Sequence, residues 1–184
     1  GDYILQSINH SIFKSPSTID NNINAISTYL QKHHPNYLFT HLVPSVKGTT
    51  LVKAGETYYR AFHKINGYAL NVLENENQVR EAAQQFAGFT QVLKNFEVSQ
   101  LKDTLPNFHN LTLRYQQFLE AIQQGNTQRM AAAQEAISFL QSHKKYVDIY
   151  TQYIAHKEVK KRVTHHDTKI SNVLFQKNKS ERSE

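Results

Sequence analysis

The chain has 184 residues, 39% of them hydrophobic and 20% charged, with a net charge of +6, a pI near 9.4 and no cysteine. That length supports one large domain or two small lobes around a hydrophobic core, and the composition is globular rather than disordered. Without cysteine there are no disulfides and no thiolate chemistry, and no apolar run approaches the roughly 20 residues of a membrane helix, which together point to a cytoplasmic protein with no membrane partner.

The first predicted element is "YILQSIN", Tyr3 to Asn9, which alternates apolar and polar residues as a half-buried strand does. After Pro16, Ser17 or Thr18 is placed to cap a helix whose apolar residues Ile19, Ile23, Ile26 and Leu30 recur at helical spacing. His33 and His34, before Pro35, close it. Three strand-like runs follow: "YLFTHLVPSV", "TTLVKA" and "TYYRAFHKI". Lys47-Gly48 parts the first two, and Ala54-Gly55-Glu56 between the last two is a hairpin signal. Residues 1–65 therefore read as a small antiparallel sheet with one helix.

The pattern changes at "INGYALNVLENENQ", where Asn66-Gly67 marks a turn and helical spacing takes over. Gln78 to Phe96 carries Val79, Ala82, Phe86, Phe89, Val92, Leu93 and Phe96 on one broad face. A loop with Pro106 leads to a helix over Leu111 to Gln123. Gly125-Asn126 ends that helix, and Thr127 caps a longer stretch from Arg129 towards His156. "KRVTHHDTKISNVLFQ" reads as a short strand, a loop and a second short strand. Residues 66–175 thus form a helical lobe ending in that loop, and 176–184 a polar tail. Lys157, Lys160, Lys161 and Arg162 read as a solvated helix end, where cations meet the negative dipole terminus. A nucleic-acid face would spread basic residues among aromatics along a whole surface, so the pattern argues against that partner. The ten histidines lack metal-ligand spacing, and no Gly-x4-Gly-Lys-Ser/Thr phosphate loop is present.

The functional signal is His165-x-Asp167-x-Lys169-x-x-Asn172, followed by Val173-Leu174-Phe175. This spacing suits phosphoryl transfer. A carboxylate beside the attacking hydroxyl orients it and takes its proton, and an amide oxygen five residues on can hold magnesium against the phosphate charge. Lys169 can reach the transferring group, and His165 packs beneath the loop to fix its shape. The competing reading is a polar loop whose histidines stabilise a turn.

The chain resembles the aminoglycoside-phosphotransferase and choline-kinase group of small-molecule kinases. Within it, "YILQSINHSIFKSP" and "THHDTKISNVLF" are similar to the bacterial N-acetylhexosamine 1-kinase branch. The order of elements matches over nearly the whole chain, but only these two end motifs are sharp. The resemblance implies an α+β, two-lobed protein-kinase-like fold with ATP and Mg2+ as cofactors. It implies Asp167 as catalytic base, Lys169 near the phosphates, Asn172 as magnesium ligand and His165 as loop-fixing, with His166 at a variable, substrate-side position. It places the interlobe linker near Phe62 to Gly67, so that Phe62, His63, Lys64 and Ile65 would meet the nucleotide, and sets Gln6 where the strand lysine of the fold stands.

Several expected parts are missing from the pattern. The phosphate-covering loop would precede "YILQ", and a second metal-binding aspartate would follow "NVLF", where only Glu181 and Glu184 remain. The first helix offers Asp20 but no glutamate, and Lys14 is the nearest alternative cation. The expectation is a sugar kinase whose acceptor is the anomeric hydroxyl of an N-acetylhexosamine. The chain itself is expected to be a portion truncated at both ends, with little or no activity alone. The alternatives are a kinase for another acceptor (choline, homoserine or an aminoglycoside) or a degenerate kinase-like binding module.

Overall fold

In the computed structural model, residues 1–176 are described; apart from Gln176, the polar tail read over 176–184 lies outside the described residues, as do Glu181 and Glu184. Strand β1 (Tyr3–Ile8) pairs antiparallel with β4 (Thr57–His63), in register from Tyr3 opposite His63 to Ile8 opposite Tyr58. β2 (Leu42–Val43) takes the other edge of β4, and β3 (Val52–Ala54) also pairs with β4. The Gly55-Glu56 hairpin forms where the sequence placed it. Gly55 has a φ of 58° and Glu56 does not join it in the left-handed region, as in a type II′ turn, whose first position glycine fills without a Cβ clash. "YLFTHLVPSV" contributes only two strand residues, because Pro44 has no N–H to continue a ladder.

Helix α1 (Pro16–His33) begins two or three residues earlier than a cap at Ser17 or Thr18 would place it. Pro16 is pre-set for the first helical turn. The residue before it, Ser15, takes the cap position, but its hydroxyl faces Thr18 Oγ1 at 2.9 Å rather than a backbone N–H. Leu30, 1% exposed, anchors α1 in a cluster with Leu93, Phe96 and Val163.

The segment after Asn66 is not helical at once. Tyr68–Ala69 form β5, paired antiparallel with β6 (Leu174–Phe175). Helix α2 (Glu76–Val92) follows, capped by Asn75, whose side chain accepts from the Gln78 N–H. Ala82 of α2 packs with Val173 and Phe175 in a second cluster, edged by Leu70, Phe86 and Ile170. A Cβ on Gly67 would lie 2.9 Å from the Phe175 carbonyl oxygen and 3.1 Å from Leu174 Cβ, so glycine is required here by close approach rather than by its φ. Gly67→Ala is therefore expected to push β5 from β6 and destabilise the protein by about 1–3 kcal/mol, the usual scale of overpacking. Chemical denaturation checks this, with an unchanged midpoint as the opposing outcome.

The chain is a mixed α+β protein with small antiparallel sheets, and it divides into two compact units. One comprises Gly1–Thr104 with the segment from Arg162 onward; the other is Leu105–Lys161. This differs from the division at residue 65 read from the composition shift. The β5–β6 pairing and the packing of α2 on Val173 and Phe175 join residues 66–104 to the terminal loop, and Leu93, Phe96 and Val163 pack against Leu30 of α1.

The second unit holds α3 (Leu111–Gln124), α4 (Thr127–Ala132), α5 (Gln134–Ser142) and α6 (Lys145–Ala155). Asn126, not Thr127, supplies the cap of α4, accepting from the Arg129 N–H at 3.1 Å. The long stretch anticipated up to His156 is broken at Ala133 and again at His143. There the Ser142 hydroxyl donates to the Phe139 carbonyl at 2.8 Å, and His143 Nδ1 lies 2.7 Å from the same oxygen, so side chains compete for a helical acceptor. Within this unit Thr112 and Thr151 join α3 to α6 through their hydroxyls at 3.0 Å. Among the described residues no helix is long and apolar enough to cross a membrane.

Candidate functional site

The loop from Thr164 to Asn172 is fixed at both ends. Val163 is buried against Leu30, Leu93 and Phe96, while Val173 and Phe175 are buried against Ala82. The strand anticipated before the loop does not form, because Val163 alone of that run is buried and its neighbours stay exposed. Within the loop, a 3-10 turn over Ile170–Asn172 is closed by Asn172 N–H to the Lys169 carbonyl at 3.0 Å and Val173 N–H to the Ile170 carbonyl at 2.9 Å. Leu174 and Phe175 then enter the ladder with β5. Tyr68 and Ala69, just after Asn66-Gly67, and the residues that follow Asn172 are thus hydrogen-bonded neighbours, where the sequence pattern predicts helix from Asn66 onward.

Asp167, Lys169 and Asn172 converge. Asn172 Nδ2 donates to Asp167 Oδ2 at 2.8 Å and to the Asp167 carbonyl at 2.9 Å. Lys169 Nζ lies 3.2 Å from the same Oδ2, with both side chains more than half exposed. Both of these contacts fall on Oδ2, so one carboxylate oxygen is anchored while the side chain stays more than half exposed. The Asn172 hydrogen bond foremost, then that of Lys169, with the charges of Lys169 and His165 adding to them, hold the Asp167 carboxyl below its ordinary pKa. It is accordingly ionised at neutral pH.

His165 sets its ring edge-on to Phe86 and Phe89 of α2, with centroids 5.4 and 6.0 Å away. His166 adopts a φ of 63° and its Nε2 lies 2.6 Å from Thr164 Oγ1. This left-handed residue is the sharpest turn of the loop. Histidine is among the non-glycine residues several-fold enriched at positive φ, so the sequence permits this turn without specifying it.

Of the residues that the resemblance sets beside a nucleotide, Phe62 lies under the Arg60 guanidinium at 5.0 Å, and His63 faces the Tyr3 ring at 5.1 Å. The Lys64 N–H donates to the Asp2 carbonyl at 2.9 Å and its ammonium pairs with the Asp2 carboxylate at 3.3 Å, so that backbone donor is already engaged. His63, Lys64 and Ile65 line a cleft of about 380 Å³ together with Leu38, Phe39 and His41. Gln6 accepts a hydrogen bond from Arg60 Nε at 2.9 Å. Lys14 makes no ion pair among the described residues.

Magnesium requires hard oxygen donors and takes one or two from protein, leaving the rest to phosphates and water. Asn172 Oδ1 fits that demand, lying on a group whose Nδ2 is already fixed by the hydrogen bond to Asp167. Among the described residues no three His, Asp or Glu side chains cluster to form a metal cage, so any magnesium here would lean on the ligand's oxygens. No known protein family's sequence model matches the chain.

Proposed function

We propose that the protein is an ATP-dependent small-molecule kinase of two-lobed kinase-like architecture, transferring a phosphoryl group to a hydroxyl. The convergence of Asp167, Lys169 and Asn172 carries this reading. The helix inserted between the first two strands of an antiparallel sheet, and the loop stapled beside the linker by β5–β6, support it. The acceptor implied by the resemblance is the anomeric hydroxyl of an N-acetylhexosamine.

In this mechanism Asp167 Oδ1 accepts a hydrogen bond from the acceptor hydroxyl and turns its lone pair towards phosphorus. A carboxylate of lowered pKa is a weak base, and that suits a loose transition state in which the proton leaves late. Orientation is therefore its main contribution. Lys169, anchored on Asp167 Oδ2, places a positive charge beside the transferring oxygens. Asn172 holds the loop closed through its Nδ2 and presents Oδ1 to the cation side. When bound, Mg2+ would neutralise phosphate charge there. His165 keeps the loop seated on Phe86 and Phe89.

The test is transfer of phosphate from ATP to a panel of sugars, choline, homoserine and aminoglycosides by the protein at its natural length. Turnover on an N-acetylhexosamine is the expected result. Nucleotide binding with no turnover on any acceptor would replace the kinase with a binding module.

The pH dependence tests the role of Asp167. Because its folded pKa is depressed, Asp167 stays charged until the pH falls below the ordinary carboxylate value of about 3.9, so it contributes no acid limb between neutrality and that point. Lys169→Met removes a lowering cause and should move the limb upward towards that value. A pH profile of kcat/KM checks both, and an unchanged limb in the variant counts against the Lys169–Asp167 coupling.

A further inference from the structure

Asn66-Gly67 is the one Asn-Gly pair in the chain, and it stands at the bend between β4 and β5 with both residues exposed. Among the described residues no hydrogen bond engages the Asn66 side chain or the Gly67 N–H. Other asparagines are held. Asn110 and Asn126 cap helices, Asn24 donates to Asp20 and Thr50, and Asn172 closes the Asp167 loop.

An asparagine side-chain amide is an electrophile for the next backbone nitrogen, and a glycine there brings no Cβ to hinder the approach. The Gly67 nitrogen forms a bond to Asn66 Cγ and the Cγ–Nδ2 bond breaks. The side-chain nitrogen leaves as ammonia, carrying the proton that the Gly67 N–H gives up. Water then opens the cyclic imide at either carbonyl, which leaves an aspartyl or an isoaspartyl residue, each with a new carboxylate. In the isoaspartyl product the main chain runs through Cβ and Cγ, so it gains a methylene ahead of Gly67.

The ladder beside Gly67 has no room for that. Even a Cβ on Gly67 would lie 2.9 Å from the Phe175 carbonyl oxygen and 3.1 Å from Leu174 Cβ. Tyr68 and Ala69 pair with Phe175 and Leu174, and Val173 and Phe175 seat the end of the Asp167 loop against Ala82.

We propose that Asn66-Gly67 is a site of spontaneous deamidation and isomerisation, with water as co-reactant, and that the isoaspartyl product parts β5 from β6 and loosens the loop of Asp167 and Asn172. The site depends on no functional reading of that loop.

The test ages the natural-length protein, as wild type and N66Q, in mildly alkaline buffer over days. Aliquots are followed by peptide mass spectrometry and by amide exchange. Asn66 is expected to convert ahead of every other asparagine, with the isoaspartyl product in excess. N66Q should show no conversion at this position over the same period, because its longer side chain must close a larger ring. Exchange at Tyr68, Ala69, Leu174 and Phe175 should quicken by about tenfold in the converted fraction, the scale of a lost hydrogen bond, and stay unchanged in aged N66Q. Conversion at Asn66 no faster than at the helix-capping Asn126 overturns the modification site. Conversion without faster exchange at Leu174 and Phe175 overturns its link to the loop. If N66Q does not fold, unaged wild type is the reference and both overturning results stand.

Discussion

Asp167→Asn is expected to lower turnover by about 10²–10⁴-fold, the range general-base catalysis contributes, with the fold unchanged. The substitution is nearly isosteric, and its amide oxygen can still accept from Asn172 Nδ2, so the bridge that closes the loop survives. What it removes is the charge that Lys169 approaches at 3.2 Å and the lone pair that, in the proposed mechanism, takes the acceptor's proton. Asp167 lies in an exposed loop whose anchors are Val163, Val173 and Phe175, so the denaturation midpoint should move little. The loss should therefore appear in kcat rather than in the KM for ATP. Undiminished turnover in a folded Asp167→Asn protein would remove Asp167 from the mechanism. A parallel fall in stability would assign it a structural role instead.

The parts legible in the sequence were those set by short-range chemistry. Alternation gave β1, the glycine at position 55 gave the hairpin, and apolar spacing gave α1, α2 and α3. The grouping of Asp167, Lys169 and Asn172 was legible because all three lie on one turn of chain. Features fixed by partners far along the chain were not. Tyr68 and Ala69 are extended only because Phe175 and Leu174 lie opposite them, and Gly67 matters only because the Phe175 carbonyl stands against it. The break at His143 needed knowledge that two side chains would turn back on the Phe139 carbonyl.

Leu30→Ala is the substitution expected to damage the fold most, by about 2–5 kcal/mol against a total stability of about 5–15 kcal/mol. Leu30 is the largest fully buried side chain among the described residues, and it touches the cluster that also holds Val163, the N-terminal anchor of the loop. Truncation leaves a cavity lined by Leu93 and Phe96 at the end of α2 and by Val163 ahead of the loop, which close on it only by shifting α1 or the loop. The denaturant midpoint of the unit that holds Leu30 should fall with little change in slope, as for lost packing without a change in the surface exposed. Amide exchange of residues 163–173 should quicken in step. Phe139→Ala is the contrast, since Phe139 is a larger residue but 59% exposed and should cost only a few tenths of a kcal/mol. If the two substitutions cost the same, burial at Leu30 is not what seats the loop. If Leu30→Ala lowers stability but leaves exchange in the loop untouched, then Val173 and Phe175 alone hold Asp167 and Asn172 in register.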